Sequence, residues 1–132
     1  IKQVLPAVLN DSEYLQERYG APLYGTTNGI HSLNFNGKQW VTRGGDGMII
    51  DPYKTLPDLE EIFPLSVDEV DLLFEDGSIA NGGAAMTAWQ YMQFADMDER
   101  ERERVGAALK MYCELDTLAM VMIWEYWQDL IR

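Results

Sequence analysis

Lys110–Ile123 contains no Gly or Pro and carries strong helix formers at most positions, so helix is the conformation it favours. Positions 105, 109, 112, 116, 119, 123, 126 and 130 step by four and three and therefore share one face. The residues there are Val105, Leu109, Tyr112, Asp116, Ala119, Ile123, Tyr126 and Leu130. The exception is Asp116, a carboxylate inside an apolar stripe. Burying an unpaired charge costs on the order of several kcal/mol, so Asp116 requires a metal, a cation, a hydrogen-bond donor or water.

The chain supporting this helix has 132 residues, enough for one domain with a hydrophobic core. No apolar run reaches the length of a membrane span and no signal peptide is visible, so a cytoplasmic protein is expected. Cys113 is the single cysteine, which excludes an internal disulfide and a cysteine-based zinc site. Ten basic against 22 acidic residues give a net charge of −12. A field of that sign argues against a self-sufficient DNA-binding module, which needs clustered Lys and Arg, but is compatible with a piece of an acidic, metal-binding nuclease. The chain starts at Ile1 in mid-pattern and without a cap, and is expected to be the C-terminal piece of a longer protein.

Ile1, Val4, Leu5, Val8 and Leu9 have helical spacing, with Pro6 tolerated near the first turn. Ser12 is placed to cap a second helix ending at Gly20, with Tyr14, Leu15 and Tyr19 inward. From Ala21 to Asp51 the pattern becomes β-like. Leu33, Phe35, Trp40 and Val41 flank Asn36-Gly37, a hairpin signal, and Gly44-Gly45-Asp46-Gly47 leads into Met48-Ile49-Ile50. An antiparallel β meander over about residues 31–51, closed by Pro52 and Pro57, is expected, giving an α+β fold that is mainly helical. Residues 58–76 carry eight carboxylates and no Lys or Arg, with a Ser66–Glu69 capping box predicting a short helix with a solvated acidic face. Asn81-Gly82-Gly83 opens a helix over about 84–95 with an apolar stripe of Ala85, Ala88, Trp89, Met92 and Ala95. Asp98 with Glu101 forms a capping box for the last long helix, predicted to run to about Asp129 with a bend near Asp116.

Tyr112 and Asp116 are four apart, hence neighbours on a helix face. A carboxylate there suits a divalent-cation ligand, and a phenol beside it can orient an attacking water. The spacing alone is not informative, because seven Tyr and 11 Asp in 132 residues produce about 0.6 such pairs by chance. Two structural roles compete with the catalytic one: Asp116 as a cap for Thr117-Leu118-Ala119, or as the partner of a buried Tyr hydroxyl.

Tyr112-Cys113-Glu114-Leu115-Asp116-Thr117-Leu118-Ala119-Met120, Asn81-Gly82-Gly83-Ala84-Ala85-Met86, Asp51-Pro52-Tyr53-Lys54 and Ile1-Lys2-Gln3-Val4-Leu5-Pro6-Ala7 together span most of the chain. In their order along the chain they resemble the bacterial domain-of-unknown-function 2779 family. That family's domain typically forms the C-terminal part of larger proteins, often after a RecB- or Cas4-like nuclease region. More distantly, Tyr112 to Asp116 is similar to the third motif of the DEDD exonucleases, in the variant carrying tyrosine. The resemblance implies the C-terminal portion of an RNase H-like fold and of a metal-dependent 3′–5′ exonuclease acting on nucleic acid. It makes Asp116 a ligand for Mg²⁺ or Mn²⁺ and Tyr112 the residue positioning the nucleophilic water.

The chain departs from that pattern in one respect. Those enzymes carry an Asp-x-Glu on the first strand and a further Asp on a middle helix, both expected before Ile1. Asp58-Leu59-Glu60 and Asp96-Met97-Asp98 copy the letters but do not lie on an apolar strand. One carboxylate of four does not assemble a two-metal centre, so the isolated chain is expected to be inactive and to bind no metal. Its partner is then the upstream portion of the same polypeptide, and nucleic acid meets the full-length protein. A different class of function is a non-catalytic protein–protein interaction domain, drawing on Trp89, Trp124, Trp127, Tyr126 and seven Met, with self-association as its signature. His31 reads as a surface or turn residue.

Overall fold

A computed structural model describes residues 1–57 and 82–132. The predicted acidic helix with its Ser66–Glu69 box, and Asn81, lie outside the described residues. The chain divides into two compact units, one of Ile1–Thr55 with Cys113–Arg132, the other of Leu56–Tyr112.

In the first unit, helix α1 spans Val4–Asp11 and buries Leu5, Val8 and Leu9, the apolar positions of the predicted stripe. Pro6 sits in its first turn, where a missing N–H removes no intrahelical bond. Ser12 then turns the chain: its hydroxyl accepts the Leu15 N–H at 3.1 Å and so caps helix α2, Glu13–Gly20. Leu15 and Tyr19 are buried on α2, whereas Tyr14 is half-buried. Gln16 ties the two helices together, its side-chain amide donating to the carbonyls of Leu9 (2.9 Å) and Asn10 (3.2 Å).

The expected β meander does not form. The described residues are mostly helical and contain no sheet; between α2 and Pro52 there are two isolated antiparallel bridges, Tyr24 with Lys38 and Arg43 with Ile49. The α+β assignment, and with it the C-terminal portion of an RNase H-like fold, is corrected on that finding. Of the two predicted turns, the one at Gly44–Gly47 closes, with Gly44 donating to the Met48 carbonyl at 2.8 Å and Arg43 bridged to Ile49; at Asn36-Gly37, where Gly37 has φ +70°, Lys38 pairs with Tyr24 and not across the turn. What fails is the ladder, because its donors are used elsewhere. The Trp40 N–H donates to the carbonyl of Tyr19 on α2 (3.0 Å), and the Ile49 N–H to the Asn10 side chain (3.0 Å). The Asn34 and Phe35 N–H groups both donate to the Ser32 hydroxyl, at 3.1 and 2.9 Å. Backbone groups that are satisfied by caps and side chains have no reason to pair into strands.

An aromatic cluster holds this irregular segment in place of a sheet. Trp40 is fully buried and meets Tyr24 and Phe35 edge to face, at centroid distances of 5.5 and 4.9 Å. Gly25, at φ +84°, allows the backbone of Phe35 to close in: a Cβ at that position would lie 1.9 Å from the Phe35 carbonyl oxygen.

In the second unit, helix α3 spans Gly82–Phe94 and buries Ala88 and Met92, while Trp89 of the predicted stripe is exposed. The predicted capping box is present: Asp98 N–H donates to Glu101 at 3.1 Å, and Glu101 N–H to Asp98 at 2.8 Å. It starts helix α4, Glu99–Leu130, which runs through Asp116 without interruption. Val105, Ala108, Leu109 and Tyr112 are buried in the second unit, and Leu115, Leu118, Ala119, Met122 and Ile123 in the first. Among the described residues no helix is long and apolar enough to cross a membrane.

Candidate functional site

Asp116 is half-buried on α4, and its Oδ1 accepts the Tyr53 hydroxyl at 2.5 Å. Tyr53 is placed by a short 3₁₀ helix, Pro52–Thr55, whose sequence dictates its geometry. The Asp51 carboxylate accepts the Tyr53 N–H at 3.1 Å, as an N-cap does, and Pro52 follows at the first helical position where its fixed φ fits. Thr55 closes the turn through its hydroxyl on the Pro52 carbonyl, at 2.7 Å. The Lys2 ammonium sits 5.2 Å from the centroid of the Tyr53 ring, within cation–π range. Lys2, Tyr53 and Asp116 thus come together from three distant stretches of sequence. Two of the three were not singled out as site residues by spacing or periodicity. The available signal was their position inside the Ile1–Ala7 and Asp51–Lys54 segments that carry the family resemblance.

Tyr112 lies at the end of the second unit and is 3% exposed. The structure therefore gives Asp116 a phenol partner, as one of the structural readings of the sequence anticipated, and that phenol is Tyr53. The donor set here is one carboxylate and one phenol. Mg²⁺ takes six oxygen ligands in near-octahedral geometry, so these residues alone do not make a metal site. Among the described residues no group of three or more His, Cys, Asp or Glu is arranged to hold a metal ion.

A second polar cluster occupies the other side of α4. At 100° per residue, Glu114, Leu118, Val121 and Glu125 line up roughly opposite Asp116. Glu114 accepts the Tyr24 hydroxyl at 2.7 Å on one oxygen and the Asn34 amide at 2.5 Å on the other. Burial raises the Glu114 pKa, but hydrogen bonds from Ser32, Tyr24 and Asn34 outweigh it and hold the carboxyl below its ordinary range. Glu125 accepts the Tyr19 hydroxyl at 2.8 Å and pairs with the Arg18 Nε at 3.2 Å. Burial, with the help of Glu125, pushes the Tyr19 phenol up to about 12 against the lowering effect of Arg18. Burial likewise raises the Tyr24 phenol, reinforced by Glu114. Between the two glutamates lies a cleft of about 400 Å³, bordered also by His31 and Ser32.

Comparison with family models, with curated proteins and with solved structures returns no match.

Proposed function

We propose that this chain is part of a metal-dependent nuclease, contributing Asp116 as one metal ligand and Tyr112 as the water-positioning phenol, and that it is inactive alone. The observation that carries this reading is the convergence at Asp116. Three segments that resemble the domain-of-unknown-function 2779 family, far apart in sequence, supply Lys2, Tyr53 and Asp116 to one place. A carboxylate oriented by a phenol is the kind of preorganised ligand a metal centre uses, since groups behind the ligand fix its angle. The remaining carboxylates come from residues outside this chain, and a cytoplasmic setting goes with the reading. The test is a Mn²⁺-dependent nuclease assay of the full gene product beside its Asp116→Ala variant, on single- and double-stranded DNA and RNA. Loss of cleavage with the fold intact is expected. Equal Mn²⁺ binding and equal cleavage by the two proteins would remove Asp116 from the centre.

A second reading, a non-catalytic protein–protein interaction domain, rests on a different face of α4. Met120, Trp124 and Trp127 step by four and three along one line and are all exposed, the two tryptophans at 58% each, and Ile131, just past the helix end, is exposed as well. An apolar line of this kind is a surface for association. Light scattering at high protein concentration should show self-association that Trp124→Glu abolishes; a clean monomer counts against this reading.

A further inference from the structure

The cleft on the Glu114 side of α4 has a charge left uncompensated. Ser32, Tyr24 and Asn34, all neutral, hold the Glu114 carboxylate in place without supplying a counter-charge. Among the described residues no cation is paired with it; the ion pair in this cleft is at the other end, Arg18 with Glu125. Eleven residues of helix separate the two glutamates, about 16 Å along the axis at 1.5 Å per residue, so Arg18 neutralises Glu125 and not Glu114. The wall between them is apolar, with Leu118 and Val121 facing the cleft.

These features select among ligand classes. A metal ion is a poor fit, because one carboxylate already holding three neutral donor residues cannot replace the oxygen shell of Ca²⁺ or Mg²⁺. An anion meets Glu114 head on. A neutral apolar molecule leaves the carboxylate without a counter-charge while covering it, which is costly. An organic cation with N–H donors and a short aliphatic body satisfies both halves of the cleft, and a volume of about 400 Å³ is in the range of small-molecule sites. The net charge of −12 also raises the local concentration of cations.

We propose that this cleft binds a primary alkylammonium, its nitrogen donating to Glu114 and its methylenes lying against Leu118 and Val121. The site is independent of the nuclease reading, since Glu114 and Asp116 point to opposite sides of α4.

The test is calorimetric titration of the chain with n-hexylammonium, with n-hexanol and hexanoate as matched controls, at pH 8 and at two salt concentrations. Saturable binding of the amine alone is expected. Glu114→Gln should weaken it at least tenfold while circular dichroism shows an unchanged fold. Val121 is exposed and its truncation is tolerated, so Val121→Ala tests the apolar wall if Glu114→Gln lowers stability; about threefold weaker binding is expected, the contact of about one of the two methyls removed. Binding of the alcohol as tight as that of the amine, or amine binding unchanged by both substitutions, overturns the proposal.

Discussion

The bond between Tyr53 and Asp116 is the contact on which the functional reading turns, and its worth can be measured by a double-mutant cycle of Tyr53→Phe and Asp116→Ala. Hydrogen bonds to charged groups contribute about 1.5–3 kcal/mol net. Asp116 is half-buried, so solvent screens the contact and the lower end applies. Unfolding entropy of about 2.1 cal/mol/K per residue over 132 residues converts 1.5 kcal/mol into a fall in Tm of about 5 °C. Tyr53→Phe should therefore lower Tm by about 5 °C, and the two substitutions together should cost less than the sum of their separate effects, by a coupling of about 1–1.5 kcal/mol. Differential scanning calorimetry of the four proteins supplies every term. A coupling below about 0.3 kcal/mol, the ordinary additivity error, would refute the claim that Tyr53 orients Asp116.

Two further outcomes test the frame around the site. Trp40→Ala empties a fully buried position and should cost about 3–5 kcal/mol, with Trp40→Phe far milder; urea melts followed by near-UV circular dichroism read both. Tyr19, with a phenol raised to about 12, stays neutral in the folded protein while an unfolded chain ionises near 10. A raised folded pKa gives stability that is complete below about pH 10 and is lost as pH climbs towards about 12, so Tm should fall across that window. Tyr19→Phe should flatten the fall, and an unaltered alkaline profile would show that this phenol is not its source.

Elements whose signals are local were legible in the sequence, and those whose partners are distant were not. The Ser12 cap and the Asp98–Glu101 box are each written within one helical turn and were read correctly; the stripe on α4 is buried from Val105 to Ile123 apart from half-buried Asp116, but Tyr126 is half-buried and Leu130 exposed. Residues 21–51 carry hairpin residues at the right places, yet whether a hairpin grows into strands depends on what else its donors can reach. Here they reach the C-terminal carbonyl of α2, the Asn10 side chain and the Ser32 hydroxyl, none of which hydrophobic alternation reports. The candidate site divides in the same way. Periodicity singled out Asp116 as a carboxylate needing a partner, but Tyr53, 63 residues away, carries no periodic signal. The glutamate cleft was not anticipated at all, because Glu114 and Glu125 look like ordinary solvated helix positions until Tyr24, Asn34, Tyr19 and Arg18 are placed beside them.

The first compact unit is discontinuous, and this has a consequence for how the protein is made. Its hydrogen bonds from Tyr19, Tyr24 and Tyr53 all end on carboxylates beyond residue 113. At about 5–20 residues per second, a ribosome needs roughly 3 to 11 seconds to synthesise residues 56–112. During that interval the N-terminal segment lacks the carboxylates that accept these three phenols. The order of synthesis thus leaves these three hydrogen bonds to form last, once the C-terminal helix has emerged.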